Sequence, residues 1–224
     1  MKIILHHLGL GDHIVCNGLI RNYLKDKEKH LLVVKNRNIE SVKFMFSDLN
    51  NLNYLQVDDN VNIRQFINNT FSTDIVKIGF QENERLTNLG YTWDEAFYLQ
   101  LNVDFNKRWD DFYIPRKINE EKRLFNKLVK KGPYVLIHNS GSDQIDRIDY
   151  TKVDPTLNKV FVVKSHTIFD YCTIIEQAAE IHCIDSAFKH LVDSLDTKAK
   201  LFYHKNYNYR DSLEHKSKLD WTIV

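Results

Sequence analysis

Two glycines and an aspartate stand close together near the N-terminus, in the segment HHLGLGDH over residues 6–13. The segment follows an apolar run that predicts a buried strand and precedes an amphipathic pattern that predicts a helix. Gly9 and Gly11 allow the backbone to turn sharply and to approach a ligand. Asp12 has two open interpretations, since its carboxylate can cap the helix or can act as a general base.

A second candidate site follows the apolar run that ends at Ile184, in the segment CIDSAFKHL over residues 183–191. Asp185 ends a predicted strand, and Ser186 opens a predicted helix whose first N–H groups are available to an anion. His190 falls in the first turns of that helix. A structural interpretation is equally open, in which Asp185 or Ser186 caps the helix and His190 is a partly buried polar residue.

A third candidate site is HNSGS over residues 138–142, again after a predicted strand. Ser140 and Gly141 can donate hydrogen bonds to a phosphate, and Arg147 or Lys164 can supply the cation. An ordinary glycine turn explains the same residues, so this pattern also leaves both interpretations open.

These candidate sites lie in two series of alternating strands and helices. The first series predicts strands over 2–6, 31–34, 52–57 and 74–78, with helices over 14–25, 39–46 and 61–69. The second predicts strands over 134–138, 159–163, 181–184 and 200–203, with helices over 170–180 and 186–195. Helices over 91–101 and 119–131 separate the two series. Such alternation predicts two parallel sheets, and ligands usually bind at the carboxyl edge of such sheets.

The composition excludes several classes of protein. The chain has 224 residues with 31 Lys and Arg against 30 Asp and Glu, so it lacks the basic surplus typical of a nucleic-acid binder. No apolar run of about 18 residues predicts a transmembrane helix, and the N-terminal apolar stretch is too short for a signal peptide. Cys16, Cys172 and Cys183 are odd in number and set in apolar patterns, which indicates buried thiols in a reducing compartment. We therefore expect a cytoplasmic protein.

The histidines near the N-terminus do not form a recognised metal motif. His6, His7 and His13 lie in one loop without a cysteine or carboxylate at a metal-ligand spacing, so no metal site is predicted. The chain also lacks a G-x-S-x-G elbow, a P-loop and a C-x-x-C pair, which disfavours hydrolase, nucleotide triphosphatase and redox functions.

Two of these segments resemble the signatures of one enzyme family. The segment GLGDHIVCNGLIR over residues 9–21 resembles the first loop and helix of heptosyltransferase-type glycosyltransferases of family 9, which carry a Gly-Asp pair there. Residues 168–195 resemble the family's second signature of a helix, a strand, Asp, a small residue, three variable positions and His-Leu. Asp185, Ser186 and His190 keep that spacing, and one motif lies in each series.

The resemblance implies an α/β fold of the GT-B architecture, with two Rossmann-like lobes whose parallel sheets face across a cleft. It implies that residues 1–118 form the acceptor-side lobe and that residues 119–224 form the nucleotide-sugar-binding lobe. The implied reaction transfers a sugar from a nucleotide-diphosphate sugar to a hydroxyl of a glycan or lipopolysaccharide-like acceptor, with inversion, no metal and no cofactor. Asp12 is the implied catalytic base. The expected donor-binding residues are Gly9, Gly11, Ser140, Gly141, Arg147, Lys164, Ile168, Asp185, Ser186 and His190.

The partners expected on this basis are a nucleotide-sugar donor and a glycan or glycolipid acceptor, with no nucleic acid. A glycolipid acceptor leaves peripheral association with a membrane open. Because the second lobe is short, a non-catalytic nucleotide- or sugar-binding protein of the same fold is the main alternative. A Rossmann-like methyltransferase ranks lower, since the predicted second strand runs into the basic residues Lys35 and Arg37 where an acidic ribose-binding residue is needed.

Overall fold

The structure is a computed structural model that describes residues 1–25, 28–62, 65–66, 75–141, 148–163, 165–205 and 215–224. The chain forms two compact units. The first unit contains Met1–Pro115 and Glu214–Lys216, and the second contains Arg116–Leu213 and Ser217–Val224. A short segment near the C-terminus therefore belongs to the first unit, although the chain on either side of it belongs to the second.

The first unit is built on a parallel sheet whose described strands follow the order β3-β2-β1-β4. The strands are β1 (Lys2–Leu5), β2 (His30–Lys35), β3 (Leu52–Val57) and β4 (Ile75–Lys77). In the register of the sheet, Ile3 pairs with Leu31 on one side and with Ile75 on the other. The central strands are nearly continuous apolar runs because helices and loops cover both faces of a parallel sheet.

The helices of the first unit are α1 (Leu10–Val15), α2 (Asn17–Tyr23), α3 (Ile39–Met45), α4 (Phe80–Thr87), α5 (Trp93–Gln100) and α6 (Lys107–Asp110). The prediction of a single helix over 14–25 is wrong in two respects. The helix begins earlier, at Leu10, and a break at Cys16 divides it into α1 and α2. Gly9 and Asp12 form a capping arrangement that starts the helix inside the glycine-containing segment. Most of the helix predicted over 61–69 lies outside the described residues.

The second unit is built on a parallel sheet in the order β6-β5-β7-β8-β9. Its strands are β5 (Tyr134–His138), β6 (Asn158–Phe161), β7 (Glu180–Ile184), β8 (Lys200–His204) and β9 (Trp221–Ile223). The sequence did not predict β9, because three residues are too few to show a strand period. The strand is held by pairing with β8 and by the Trp221 indole, which donates to Asp193 at 3.2 Å.

The helices of the second unit are α7 (Ile118–Leu128), α8 (Cys172–Gln177) and α9 (Ala187–Val192). Helix α7 packs on α8. Arg116 joins them, because its guanidinium binds Glu121 at 2.7 Å and Glu176 at 2.6 Å. The buried Glu121 also accepts the Thr173 hydroxyl at 2.7 Å, so the start of α7 is fixed to the second unit.

A buried ion pair organises the helical part of the first unit. Arg108 of α6 and Asp94 of α5 are almost fully buried and bind each other directly. Both also bind the backbone of Lys216, whose carbonyl accepts from Arg108 at 2.8 Å and whose N–H donates to Asp94 at 3.1 Å. The ion pair therefore holds the short C-terminal segment of this unit.

Two predictions about the chain as a whole can be compared with the structure. Cys16, Cys172 and Cys183 are buried free thiols, as predicted, and burial raises the pKa of each. Among the described residues, no helix combines the length and apolar character needed to cross a membrane.

Candidate functional site

The first candidate site lies where the strand order of the first sheet reverses. The chain runs from β1 to β2 and β3 on one side, and then returns to place β4 on the other side of β1. Because β1 and β4 are adjacent parallel strands, the loops that follow them begin side by side at one edge of the sheet. Such a switch point at the carboxyl edge is the usual ligand site of an open α/β sheet. Gly9, Gly11 and Asp12 follow β1 at this position, with Gly11 inside the first turn of α1.

Asp12 is half-buried, and its carboxylate turns back toward the start of its own helix. Its Oδ2 atom accepts the N–H of Gly9 at 3.2 Å. The capping role considered from the sequence is therefore present in the structure. One carboxylate oxygen can cap the helix while the other accepts a proton, so this geometry leaves the catalytic prediction open.

Two fully buried histidines lie beneath the Asp12 segment. The rings of His6 and His13 meet edge to face, with centroids 4.4 Å apart. Among the described residues, neither ring nitrogen of His13 has a hydrogen-bond partner. Burial lowers the pKa of His6 to about 4 and that of His13 well below its usual value. His7 lowers the pKa of His6 further, and His6 does the same to His13. Both rings are therefore neutral at pH 7 and place no positive charge next to Asp12.

His7 connects the loop after β1 to the loop after β4. Its Nε2 atom accepts the Phe80 N–H at 2.9 Å, and its ring stacks on the Phe80 ring at 4.7 Å. The backbone closes tightly around this ring, since φ is +99° at Gly79 and +59° at Phe80. A β-carbon on Gly79 would lie 2.5 Å from the His7 ring, so glycine is required there.

A polar hollow of about 660 Å³ opens beside Gly79. Gln100 shapes it by accepting the Gly79 N–H at 2.7 Å and donating to Asn83 at 2.8 Å. The other residues that line the hollow are Lys77, Gln81, Glu82, Arg85 and Leu99. Amide and charged side chains of this kind suit a ligand that carries many hydroxyl groups.

The second unit repeats the arrangement at its own switch point. The chain leaves β5 for β6 on one side and then crosses to β7 on the other side. The register pairs His138, the last residue of β5, with Cys183 of β7. The residues that follow these strand ends include Ser140 and Gly141 in one loop, and Asp185 and Ser186 in the other. The structure therefore brings the second and third candidate sites to the same edge of one sheet.

Asp185 and Ser186 have different surroundings. The Asp185 side chain reaches solvent, although the surrounding protein displaces enough water to raise its pKa above the usual value, and Lys189 opposes this shift. The hydroxyl of Ser186 accepts the Lys189 N–H and caps α9, as the structural interpretation proposed. Its Oγ atom also lies 3.3 Å from Nδ1 of His138.

His138 begins the third candidate site, but no role was predicted for it. It is 94% buried, and its ring stacks on Phe188 of α9 with centroids 4.7 Å apart and planes within 6° of parallel. The sequence signal was its place at the end of a strand before Ser140 and Gly141. Its pairing with Ser186, 48 residues away, depends on the strand order of the sheet.

The remaining predicted donor-binding residues have mixed outcomes. His190 is buried in α9, and its carbonyl accepts the Ser194 hydroxyl at 2.8 Å. Ile168 is half-buried at the start of the short 3-10 turn that precedes α8. Arg147 and Lys164, the two predicted cations, lie outside the described residues.

A further buried polar chain crosses the second sheet. Nδ1 of His182 lies 2.7 Å from Nε2 of His204, and Nε2 of His182 lies 2.8 Å from Glu180. His204 also accepts the Asp149 N–H at 3.0 Å, which makes its Nε2–H the donor to His182. Burial lowers the pKa of His182, whereas Glu180 raises it. Neutral rings satisfy every one of these contacts, so the chain fits a structural role.

No group of three or more His, Cys, Asp or Glu side chains among the described residues is arranged to hold a metal ion.

The two parallel-sheet units, each with polar loops at its switch point, define a GT-B-like α/β fold. Among solved structures, a glycosyltransferase family 9 protein from Veillonella parvula superimposes with a TM-score of 0.58, at 11% identity over 100% of this chain and 86% of that chain. The iron-containing dodecameric glycosyltransferase TibC from enterotoxigenic E. coli gives 0.54, at 10% identity over 96% of this chain and 60% of that chain. The E. coli ADP-heptose lipopolysaccharide heptosyltransferase II gives 0.47, at 9% identity over 100% of this chain and 90% of that chain.

These likenesses confirm the predicted fold class and place the chain among proteins with the family 9 fold. No family model matches the sequence, and no curated protein matches it. Because only about a tenth of the residues are identical, the similarity is limited to the fold. The activity therefore has to be argued from the residues at the two switch points.

Proposed function

We propose that this protein is a glycosyltransferase that moves a sugar from a nucleotide-diphosphate sugar to a hydroxyl of a glycan or lipopolysaccharide-like acceptor. One observation carries the proposal: the polar residues of both sequence signatures follow strands at switch points, in a fold similar to that of known glycosyltransferases. Ligands of α/β proteins bind at this position of the sheet.

The donor is assigned to the second unit. Ser140, Gly141 and Ser186 offer hydroxyl and backbone donors for a diphosphate, with Arg147 and Lys164 as the proposed cations. Asp185 is solvent-accessible at the same edge, where its carboxylate can accept hydroxyl groups of the donor. The proposed donor-binding set also includes Ile168 and His190 of this unit, and Gly9 and Gly11 of the first unit.

The chemical step is assigned to Asp12. Its carboxylate takes the proton of the acceptor hydroxyl while that oxygen attacks the anomeric carbon. The bond between the anomeric carbon and the diphosphate oxygen breaks, and the nucleoside diphosphate leaves with the electron pair. Attack from the opposite face inverts the configuration at that carbon. The polar hollow beside Gly79 suits a hydroxyl-rich acceptor in the unit that contains Asp12.

The test is a transfer assay with ADP-, GDP-, UDP- and CMP-activated sugars, followed by the Asp12→Asn variant. Asparagine keeps an oxygen that accepts the Gly9 N–H but loses the basic carboxylate, so turnover should fall by about 100-fold or more. Nucleotide affinity should remain unchanged. Asp110→Asn is the matched control, because Asp110 is an exposed residue of α6 that pairs with Lys107 at 3.7 Å.

Full activity of Asp12→Asn would show that the base is assigned wrongly. Nucleotide binding without turnover on any donor and acceptor pair would instead support the alternative of a non-catalytic nucleotide- or sugar-binding protein.

A further inference from the structure

The hydroxyl of Ser186 has a side-chain partner that neither sequence signature contains. Its Oγ atom lies 3.3 Å from Nδ1 of His138, and the hydroxyl donates to the carbonyl oxygen of Ile184 at 3.3 Å. The same oxygen caps α9 by accepting the Lys189 N–H at 3.5 Å. A serine has one hydroxyl hydrogen, and the Lys189 N–H can only donate while the Ile184 carbonyl can only accept. The direction of the serine hydrogen therefore depends on whether His138 Nδ1 donates or accepts.

The His138 ring is held in one orientation. It is 94% buried and stacks on Phe188 with the planes within 6° of parallel. Because β5 and β7 are neighbouring strands, this ring lies beside the residue that opens α9. Stacking fixes the plane of the ring, and the ring atom next to Ser186 Oγ is Nδ1.

The requirement of a phosphate ligand selects one arrangement of these hydrogens. A phosphate oxygen only accepts hydrogen bonds at neutral pH, so Ser186 binds it by donating its hydroxyl hydrogen. In the alternative arrangement, in which Ser186 donates to His138 Nδ1, that hydrogen is unavailable. If Nδ1 carries the hydrogen and donates to Oγ, the serine hydrogen is not taken by His138 and can turn from the Ile184 carbonyl to the ligand.

We propose that His138 is a positioning residue for donor binding, whose Nδ1–H donates to Ser186 Oγ and directs the serine hydroxyl hydrogen toward a phosphate oxygen of the donor. This inference rests on the proposed function, since it names the diphosphate as the group that Ser186 meets. It predicts that His138 matters for phosphate recognition and not for recognition of the nucleoside.

Two substitutions separate the hydrogen bond from the stacking. His138→Asn places an amide N–H near the position of Nδ1 but removes the ring that stacks on Phe188. His138→Phe keeps a stacking ring and removes the donor. If His138 acts in phosphate recognition, His138→Asn should bind a nucleoside diphosphate nearly as well as the wild type does. His138→Phe should bind it about tenfold more weakly, which is the effect of losing one hydrogen bond.

The experiment is calorimetric titration of the full chain with ADP, GDP, UDP and CDP, and with the parent nucleoside of the diphosphate that binds best. The proposal expects His138→Phe to weaken only the diphosphate. It also expects a double-mutant cycle in which His138→Phe has no further effect once Ser186 is replaced by alanine. Equal weakening of diphosphate and nucleoside indicates a merely structural role and overturns the proposal, as do additive effects in the cycle.

A second measurement covers the case in which His138→Phe does not fold. Long-range ¹H–¹⁵N spectra of the wild-type histidine rings report which nitrogen of His138 carries the hydrogen when the diphosphate is bound. An unprotonated Nδ1 in the complex overturns the proposal. Failure of the wild type to bind any of the four diphosphates refutes the proposed function and this inference together, whereas binding without coupling between Ser186 and His138 refutes the inference alone.

Discussion

Gly9 and Asp12 are in direct contact at the start of α1. The Asp12 Oδ2 atom accepts the Gly9 N–H at 3.2 Å, and a β-carbon on Gly9 would lie 2.6 Å from the same oxygen. The backbone of Gly9 has φ −71°, which any residue can adopt. A side chain at this position would therefore displace the carboxylate, although the backbone conformation itself would tolerate it.

This contact predicts that Gly9→Ala acts through Asp12. The added methyl group should displace the carboxylate, which costs about 1 kcal/mol of stability through the lost cap. It should also reduce transferase turnover. Urea denaturation and steady-state kinetics measure the two effects. In an Asp12→Ala background the clash is absent, so an equal loss of stability from Gly9→Ala there would contradict this explanation.

The buried histidines of the first unit predict a loss of stability in mild acid. Burial lowers the pKa of His6 to about 4 and that of His13 well below 6.5, so between pH 6.5 and about 4 the unfolded chain binds protons that the folded chain does not. Stability is complete above pH 6.5 and falls as the pH decreases through this window. Each histidine should contribute a loss of about 2 kcal/mol between pH 7 and pH 5. Urea titrations at both pH values measure it.

His13→Leu is the variant that tests the origin of this effect. Leucine has a similar volume and no ring nitrogens, and neither nitrogen of His13 has a partner among the described residues. The variant should be at least as stable as the wild type at pH 7, because it removes buried polar atoms without partners. It should lose clearly less stability at pH 5. An unchanged difference between the two pH values would assign the acid sensitivity to other groups.

The sequence predicted the elements that carry strong periodic or local signals. The strands at Leu52–Val57 and Tyr134–His138 were predicted with their observed bounds, because apolar runs of that length predict buried strands. The positions of Asp12 and Ser186 at the starts of helices followed from local motifs. Contacts that depend on strand order were not predictable in this way. The pairing of His138 with Ser186 needs β5 next to β7, and β9 needs β8 and Asp193 to hold it.

Gly79 predicts a second test of the first switch point. At this position φ is +99° and a β-carbon would lie 2.5 Å from the His7 ring, so Gly79→Ala adds both backbone strain and a clash. Gly90 is a matched control, since its φ is +97° and a β-carbon there meets nothing within 4 Å. Gly90→Ala should cost about 1 kcal/mol, and Gly79→Ala about 2–4 kcal/mol. Equal losses in thermal denaturation would show that His7 accommodates the methyl group.

The buried ion pair predicts a large loss of stability when one partner is removed. Asp94→Asn leaves the guanidinium of Arg108 buried without its counter-charge and weakens the contact with the Lys216 N–H, which should cost about 3–5 kcal/mol. The double variant Asp94→Asn, Arg108→Met should be more stable than Asp94→Asn alone, because no charge is then left unpaired. Urea denaturation compares the variants, with Glu82→Gln as a control on an exposed pair with Arg85, where little change is expected. If Asp94→Asn is as stable as the double variant, water must reach the Arg108 guanidinium and solvate its charge.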